Sequence, residues 1–186
     1  MPYNIRQQPI FISTGDPETV NDATLLYPGQ LGMRATIQQP GPRGAASSTD
    51  PESNRAKTYQ LVGTDSTMTT APYRGATAWK TNAPYVVTTV ATNRNQVAGV
   101  FQNSVTPGNF CFIQTEGPAT VKLIDSPAAT PAIGTTIIPS STTGKADNLA
   151  VGTAPTHTVM GRVSQPLTFN AAAMEVVVDL AIPDTV

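Results

Sequence analysis

His157 is the single histidine of the chain and Cys111 its single cysteine, so acid–base, nucleophilic or metal chemistry must be assembled around one of these two or from carboxylates alone. A serine hydrolase would place its nucleophile on a Gly-x-Ser-x-Gly elbow and pair it with His157, and no such elbow occurs. His157 stands among Thr156, Thr158 and Val159 at the head of an apparent strand and reads as a surface or strand-end residue. Cys111 lies between Phe110 and Phe112 with no basic neighbour to hold a thiolate, the pattern of a buried, inert thiol. One cysteine allows neither an intramolecular disulfide nor a multi-cysteine zinc site.

Gly144 and Lys145 suggest a phosphate loop only at first glance. That motif needs a glycine five residues before the Gly-Lys pair and a Ser or Thr after it, and these positions hold Pro139 and Ala146. A hairpin turn at Thr142, Thr143 and Gly144 is the simpler reading. Asp and Glu number 12, enough on paper for a glycosidase pair, but the lone Trp79 offers no aromatic sugar groove. Tyr73, Arg74, Trp79 and Lys80 form a local aromatic and basic cluster that suits either a binding hot spot or, for Trp79, a cap on the core. No cofactor, metal or small-molecule substrate is expected, and the chain reads as non-enzymatic.

The elements that would carry such residues are strands. Short β-rich runs bounded by Gly or Pro recur throughout, and helical periodicity is nearly absent. Met33, Ala35 and Ile37 alternate with Gly32, Arg34 and Thr36, and the alternation resumes at Tyr59 and Leu61. Between them, residues 38–57 carry too little apolar surface to offset the entropy of ordering, and are expected to form a long exposed loop within a hairpin, suited to contacting a neighbouring subunit. Further strands are expected at Val97 to Phe101, Asn109 to Thr115, Pro118 to Ile124, Gly134 to Ser140, His157 to Val163 and Met174 to Ala181, with a tight turn at Gly117 and Pro118. Phe110 and Phe112 occupy one face of their strand and Cys111 and Ile113 the other, so cover on both sides is expected.

Pro2, Pro9, Pro17 and Pro28 interrupt the first residues, where only Ile10, Phe11 and Ile12 form an apolar patch. This predicts an extended arm that docks onto a neighbour. The expected fold is therefore all-β: an arm over residues 1–27, a β-rich region over 28–95 with its long loop at 38–57, and a small antiparallel β-barrel or sandwich over 96–186. Ile10, Phe11, Ile12, Tyr73, Arg74 and Trp79 are the candidate partner-binding residues.

Composition narrows the partners. Only 12% of the 186 residues are charged, against roughly 25% in ordinary soluble domains, and the formal net charge is -1. Nothing in that balance neutralises phosphates, so nucleic acid is not an expected partner. No apolar run approaches a membrane span, and no basic and apolar leader opens the chain, so neither membrane nor secretory route is expected. A surface built on Thr, Ser, Asn, Gln and Ala suits lasting contact with other proteins.

Against this background, Leu26, Tyr27, Pro28, Gly29, Gln30, Leu31, Gly32, Met33, Arg34 and Ala35, followed by Thr58, Tyr59, Gln60, Leu61 and Val62, resemble the opening of head decoration proteins of tailed bacteriophages. Gly99, Val100 and Phe101, then Pro107 to Gln114, then Gly117, Ala119 and Val121, are similar to the small β-barrel of such proteins, and Val159 to Val163 and Val176 to Val178 complete the pattern. The resemblance implies a cement protein that assembles in the host cytoplasm, trimerises on the outer surface of the virion head and binds the major capsid protein where its subunits meet. The alternative of another class is a tail or receptor-binding structural protein, although neither repeats nor a long stalk are visible.

Overall fold

The structure, a computed structural model, describes residues 17–24, 31–38, 56–91, 96–125, 127, 130–164 and 174–183. They form a short 3-10 turn at Pro17–Thr19 and the strands β1 (Arg34–Gln38), β2 (Ala56–Thr64), β3 (Thr77–Lys80), β4 (Val86–Thr88), β5 (Val97–Phe101), β6 (Phe110–Lys122), β7 (Thr136–Pro139), β8 (Ala146–Asn148), β9 (Gly161–Val163) and β10 (Glu175–Ala181). The fold is all-β, as the alternation and turn chemistry predict.

Five strands close into a barrel in the order β2, β4, β3, β5, β6, because β6 pairs back onto β2. Every pairing is antiparallel except β2 with β4, which run parallel. Val62, Ala78, Val87, Ala98, Phe101, Cys111 and Ile113 join one buried cluster to which all five barrel strands contribute, as the interior of a closed barrel requires. β1 lies outside the barrel against β2.

The second half of β6 leaves the barrel and begins another layer, β6, β10, β9, β7, β8. A single parallel bridge from Ala146 to Leu123 brings β8 back toward the chain just beyond β6, so this layer also curls on itself. Its core holds Ala119, Val121, Leu123, Ile137, Met160, Val163, Val176, Val178 and Leu180, together with Trp79, Val97 and Val100 from the outer side of the barrel. β3 and β5 are thus covered on both faces, which explains the unbroken burial of Val97–Phe101.

Several expectations need correction. The barrel spans residues 56–116, not 96–186, because its closing ladder joins β2 from the first region to the first half of β6 from the second over six register pairs. The two regions therefore share one sheet. The two strands expected on either side of Gly117 are one 13-residue strand. Gly117 takes φ +83, and the Gln114 amide donates to the carbonyls of both Glu116 (3.0 Å) and Pro118 (2.9 Å), so the chain bends without losing its neighbours. The strand expected over 157–163 is confined to Gly161–Val163. Phe110 and Phe112 are only half-buried, while Cys111 and Ile113 are fully enclosed.

The expected hairpin around the long loop is present, with Gln38 opposite Ala56, although Gln38, Ala56 and Lys57 belong to its strands and residues 39–55 lie outside the described residues. The turn expected at Thr142 to Gly144 joins β7 to β8, closed by the Lys145 N–H on Thr142 O at 3.1 Å.

A methyl group at Gly117 would run into the Ala56 carbonyl oxygen from a backbone conformation that already disfavours side chains, whereas Gly152, at φ +82, faces open space. Gly117→Ala should therefore lower unfolding stability by about 3 kcal/mol or more, and Gly152→Ala by about 1 kcal/mol. Urea denaturation midpoints measured on both variants check the difference.

Candidate interaction site

Lys57 is 2% exposed, a burial that a lysine tolerates only with its charge matched. Strand geometry puts Lys57 and Tyr59 on one face of β2, two residues apart. The turn at Pro17–Thr19 lies over that face and presents Glu18, whose Oε1 accepts from Lys57 Nζ at 3.1 Å and from the Tyr59 hydroxyl at 2.6 Å. A carboxylate taking two donors on one oxygen, one of them cationic, is a strong tether for an otherwise short segment.

The same segment is tied down further along. Asp22 exchanges backbone hydrogen bonds with Phe110 at 3.0 and 2.7 Å, and Asn21 Oδ1 accepts from the Thr106 N–H and from Asn109 Nδ2 at 3.2 and 2.8 Å. Asn103 Nδ2 donates to Val20 O at 3.1 Å. Residues 17–22 of the expected arm thus dock on their own barrel. The reason is local polarity: Glu18, Asn21 and Asp22 find matched partners on β2, on β6 and in the loop before β6.

Beside this tether a polar row crosses three strands. The Thr58 hydroxyl donates to Glu116 Oε2 at 2.8 Å, which uses its only proton, so in the 3.1 Å contact between Thr36 and Thr58 the Thr36 hydroxyl is the donor. The row and the tether meet at the root of the hairpin, where β1 ends at Gln38 and β2 begins at Ala56. The chain preceding Pro17 and the chain between Gln38 and Ala56 therefore join the described structure at one corner of the barrel.

The sequence-derived candidates fall in different places. Ile10, Phe11 and Ile12 lie outside the described residues. Trp79 is 0% exposed inside the core of the second layer, so it caps the core and offers no binding surface. Tyr73 is half-buried, its hydroxyl 3.4 Å from Gly144 O. Burial raises its phenol above the ordinary value, with Lys145 opposing and Asp125 adding to the shift. Arg74 is exposed and reaches Thr120 Oγ1 at 3.5 Å. The structure does not bring Tyr73, Arg74 and Trp79 together as one exposed patch. Glu18, Lys57 and Tyr59 escape sequence reading because their contacts span 39 and 41 residues.

A cleft of about 410 Å³ opens at the β3–β4 connection, lined among others by Gln60, Val62, Lys80, Asn82 and Tyr85. Tyr85, 48% exposed, holds φ +56 with its ring over Gly32, where any larger residue would collide with it. Among the described residues no group of three or more His, Cys, Asp or Glu side chains could hold a metal ion. Burial pushes the Cys111 thiol up to about 12, so it stays protonated at neutral pH.

Comparison of the chain with protein-family models, with curated proteins and with solved structures finds no match.

The Cys111 thiol ionises near 9.0 when unperturbed and near 12 in the fold. Its contribution to stability is complete below pH 9. Above that, the unfolded chain releases a proton that the folded chain keeps, and stability should fall by up to about 1.4 kcal/mol per pH unit. Cys111→Ala should flatten that alkaline edge in chemical denaturation measured from pH 8 to 11. Glu18→Ala removes the carboxylate shared by Lys57 and Tyr59 and should cost about 2 kcal/mol, with faster proteolytic cleavage before residue 24.

Proposed function

We propose that this protein is a capsid decoration, or cement, protein that binds the outer surface of an icosahedral bacteriophage head as a homotrimer, at junctions between major capsid subunits, and holds the shell against the pressure of packaged DNA. The observation that carries the reading is the corner at Lys57. The described residues that flank two stretches whose composition suits docking on a neighbour, Pro17 after residues 1–16 and Gln38 and Ala56 around residues 39–55, meet at one corner of the barrel. One compact body that plants two tethers at a seam can bridge separate subunits, each tether binding at the high effective concentration set by the other. Anything that binds the closed shell and not its opened form stabilises it by mass action, site by site.

The surface chemistry favours the same role. With 12% charged residues and a net charge of -1, the protein meets little like-charge repulsion when many copies crowd a lattice. In this reading it needs no cofactor, and its place of action is the virion exterior after assembly in the host cytoplasm.

Purified protein added to heads that lack it should saturate at a copy number proportional to the capsid lattice and raise the temperature of DNA release. Replacing residues 39–55 by a short Gly-Ser link should weaken binding at least roughly tenfold. Binding of only a handful of copies per particle, or none, would overturn the reading in favour of a tail or receptor-binding role.

A further inference from the structure

We infer that the cleft at the β3–β4 connection binds an acidic sugar, a hexuronate-type ring carried free or within a glycan chain. The cleft opens into the barrel itself. Val62, Val87 and Ala98 line it, and all three belong to the cluster that fills the barrel interior. At about 410 Å³ it has the size of a ligand site, and the mouth of a β-barrel is a place where such sites form.

The rim carries an aromatic ring that the fold holds there at a cost. Ala83-Pro84-Tyr85-Val86 closes by the Val86 N–H on Ala83 O at 3.2 Å, with Pro84 in the second position and Tyr85, at φ +56, in the third, where a type II turn takes glycine or asparagine. Thr81 fixes this turn, its hydroxyl donating to Val86 O at 2.9 Å and accepting from the Ala83 N–H at 3.1 Å. The Tyr85 ring then lies against Gly32, where no Cβ would fit, and is still 48% exposed. Half-burial is a small return for a tyrosine in left-handed backbone. Strain of this kind belongs to preformed ligand clamps, and here it sets an aromatic face at the edge of a cleft.

The polar lining selects the ligand. Gln60 and Asn82 bring amides, which both donate and accept, and the Gln60 amide is aimed by its donation to Gly32 O at 3.4 Å. Lys80, half-buried, is the one charged side chain among the described lining residues, and none of them is acidic. Arg34 stands opposite Gln60 across the β1–β2 ladder and adds to the positive charge on that side. The apolar floor and the Tyr85 ring suit the C–H face of a sugar, the amides suit its hydroxyls, and the positive charge suits a carboxylate. A neutral sugar would gain nothing from that charge. An apolar acid would take water from Gln60 and Asn82 and return no hydrogen bonds.

The inference is independent of the decoration reading and is tested on the isolated full chain, so its failure leaves that reading untouched. In isothermal titration the wild type should bind trigalacturonate at least roughly tenfold more tightly than the matched neutral trisaccharide or the plain dicarboxylate glutarate. Tyr85→Gly, which suits the turn, and Lys80→Met, both checked as folded by their thermal melts, should each weaken trigalacturonate binding at least roughly tenfold, while Lys80→Arg should retain it. Monomeric galacturonate binding as tightly as the trisaccharide supports a free sugar acid as the ligand, and tighter binding of the trisaccharide supports a glycan chain. No binding of trigalacturonate up to about 10 mM overturns the inference. Equal binding of the neutral trisaccharide or of glutarate, or unchanged binding by Tyr85→Gly or Lys80→Met, overturns it as well.

Discussion

At Gly117 the backbone of β6 changes neighbours, and both layers of the molecule depend on how that change is made. Up to Glu116 the strand pairs with β2, and from Glu116 onward with β10. The change requires a bend without a break. Gly117 supplies the positive φ and the close approach to Ala56, while the Gln114 amide, fully enclosed, satisfies the carbonyls on either side. Those donations matter because carbonyls turned away from a ladder in a dry interior carry the full cost of lost hydration. The barrel closes on one half of the strand and the second layer grows from the other.

The N-terminal end of β2, the barrel's closing strand, is also where the β1–β2 hairpin pairs and where Glu18 docks. The buried Lys57 draws the Glu18 carboxylate onto this end of the strand. A neutral residue at 57 would remove the cationic donor to Glu18 and leave the Tyr59 hydroxyl on that carboxylate, Asn103 on Val20, and the contacts of Asn21 and Asp22. The polar row through Thr36, Thr58 and Glu116 then stiffens the root of the hairpin across three strands. A rigid root is what allows an attached segment to bind a partner with a smaller entropy loss than a free chain would suffer.

The all-β character, the positions of β5, β7 and β10, the β1–β2 hairpin and the turn before β8 were legible in the sequence, because alternation and Gly or Pro punctuation are local signals with a period of two residues. The enclosed setting of Cys111 was legible for the same reason, from its aromatic flanks. Only the tertiary structure decided that β6 runs through Gly117 and Pro118, that β2 rather than a later strand closes the barrel, that β2 and β4 are parallel, and that Trp79 faces a core. It also decided that Glu18 meets Lys57 and Tyr59. Each of these depends on a register between segments far apart in the chain, set by the burial and hydrogen bonding of the whole assembly of strands, and no run of neighbouring residues carries that information.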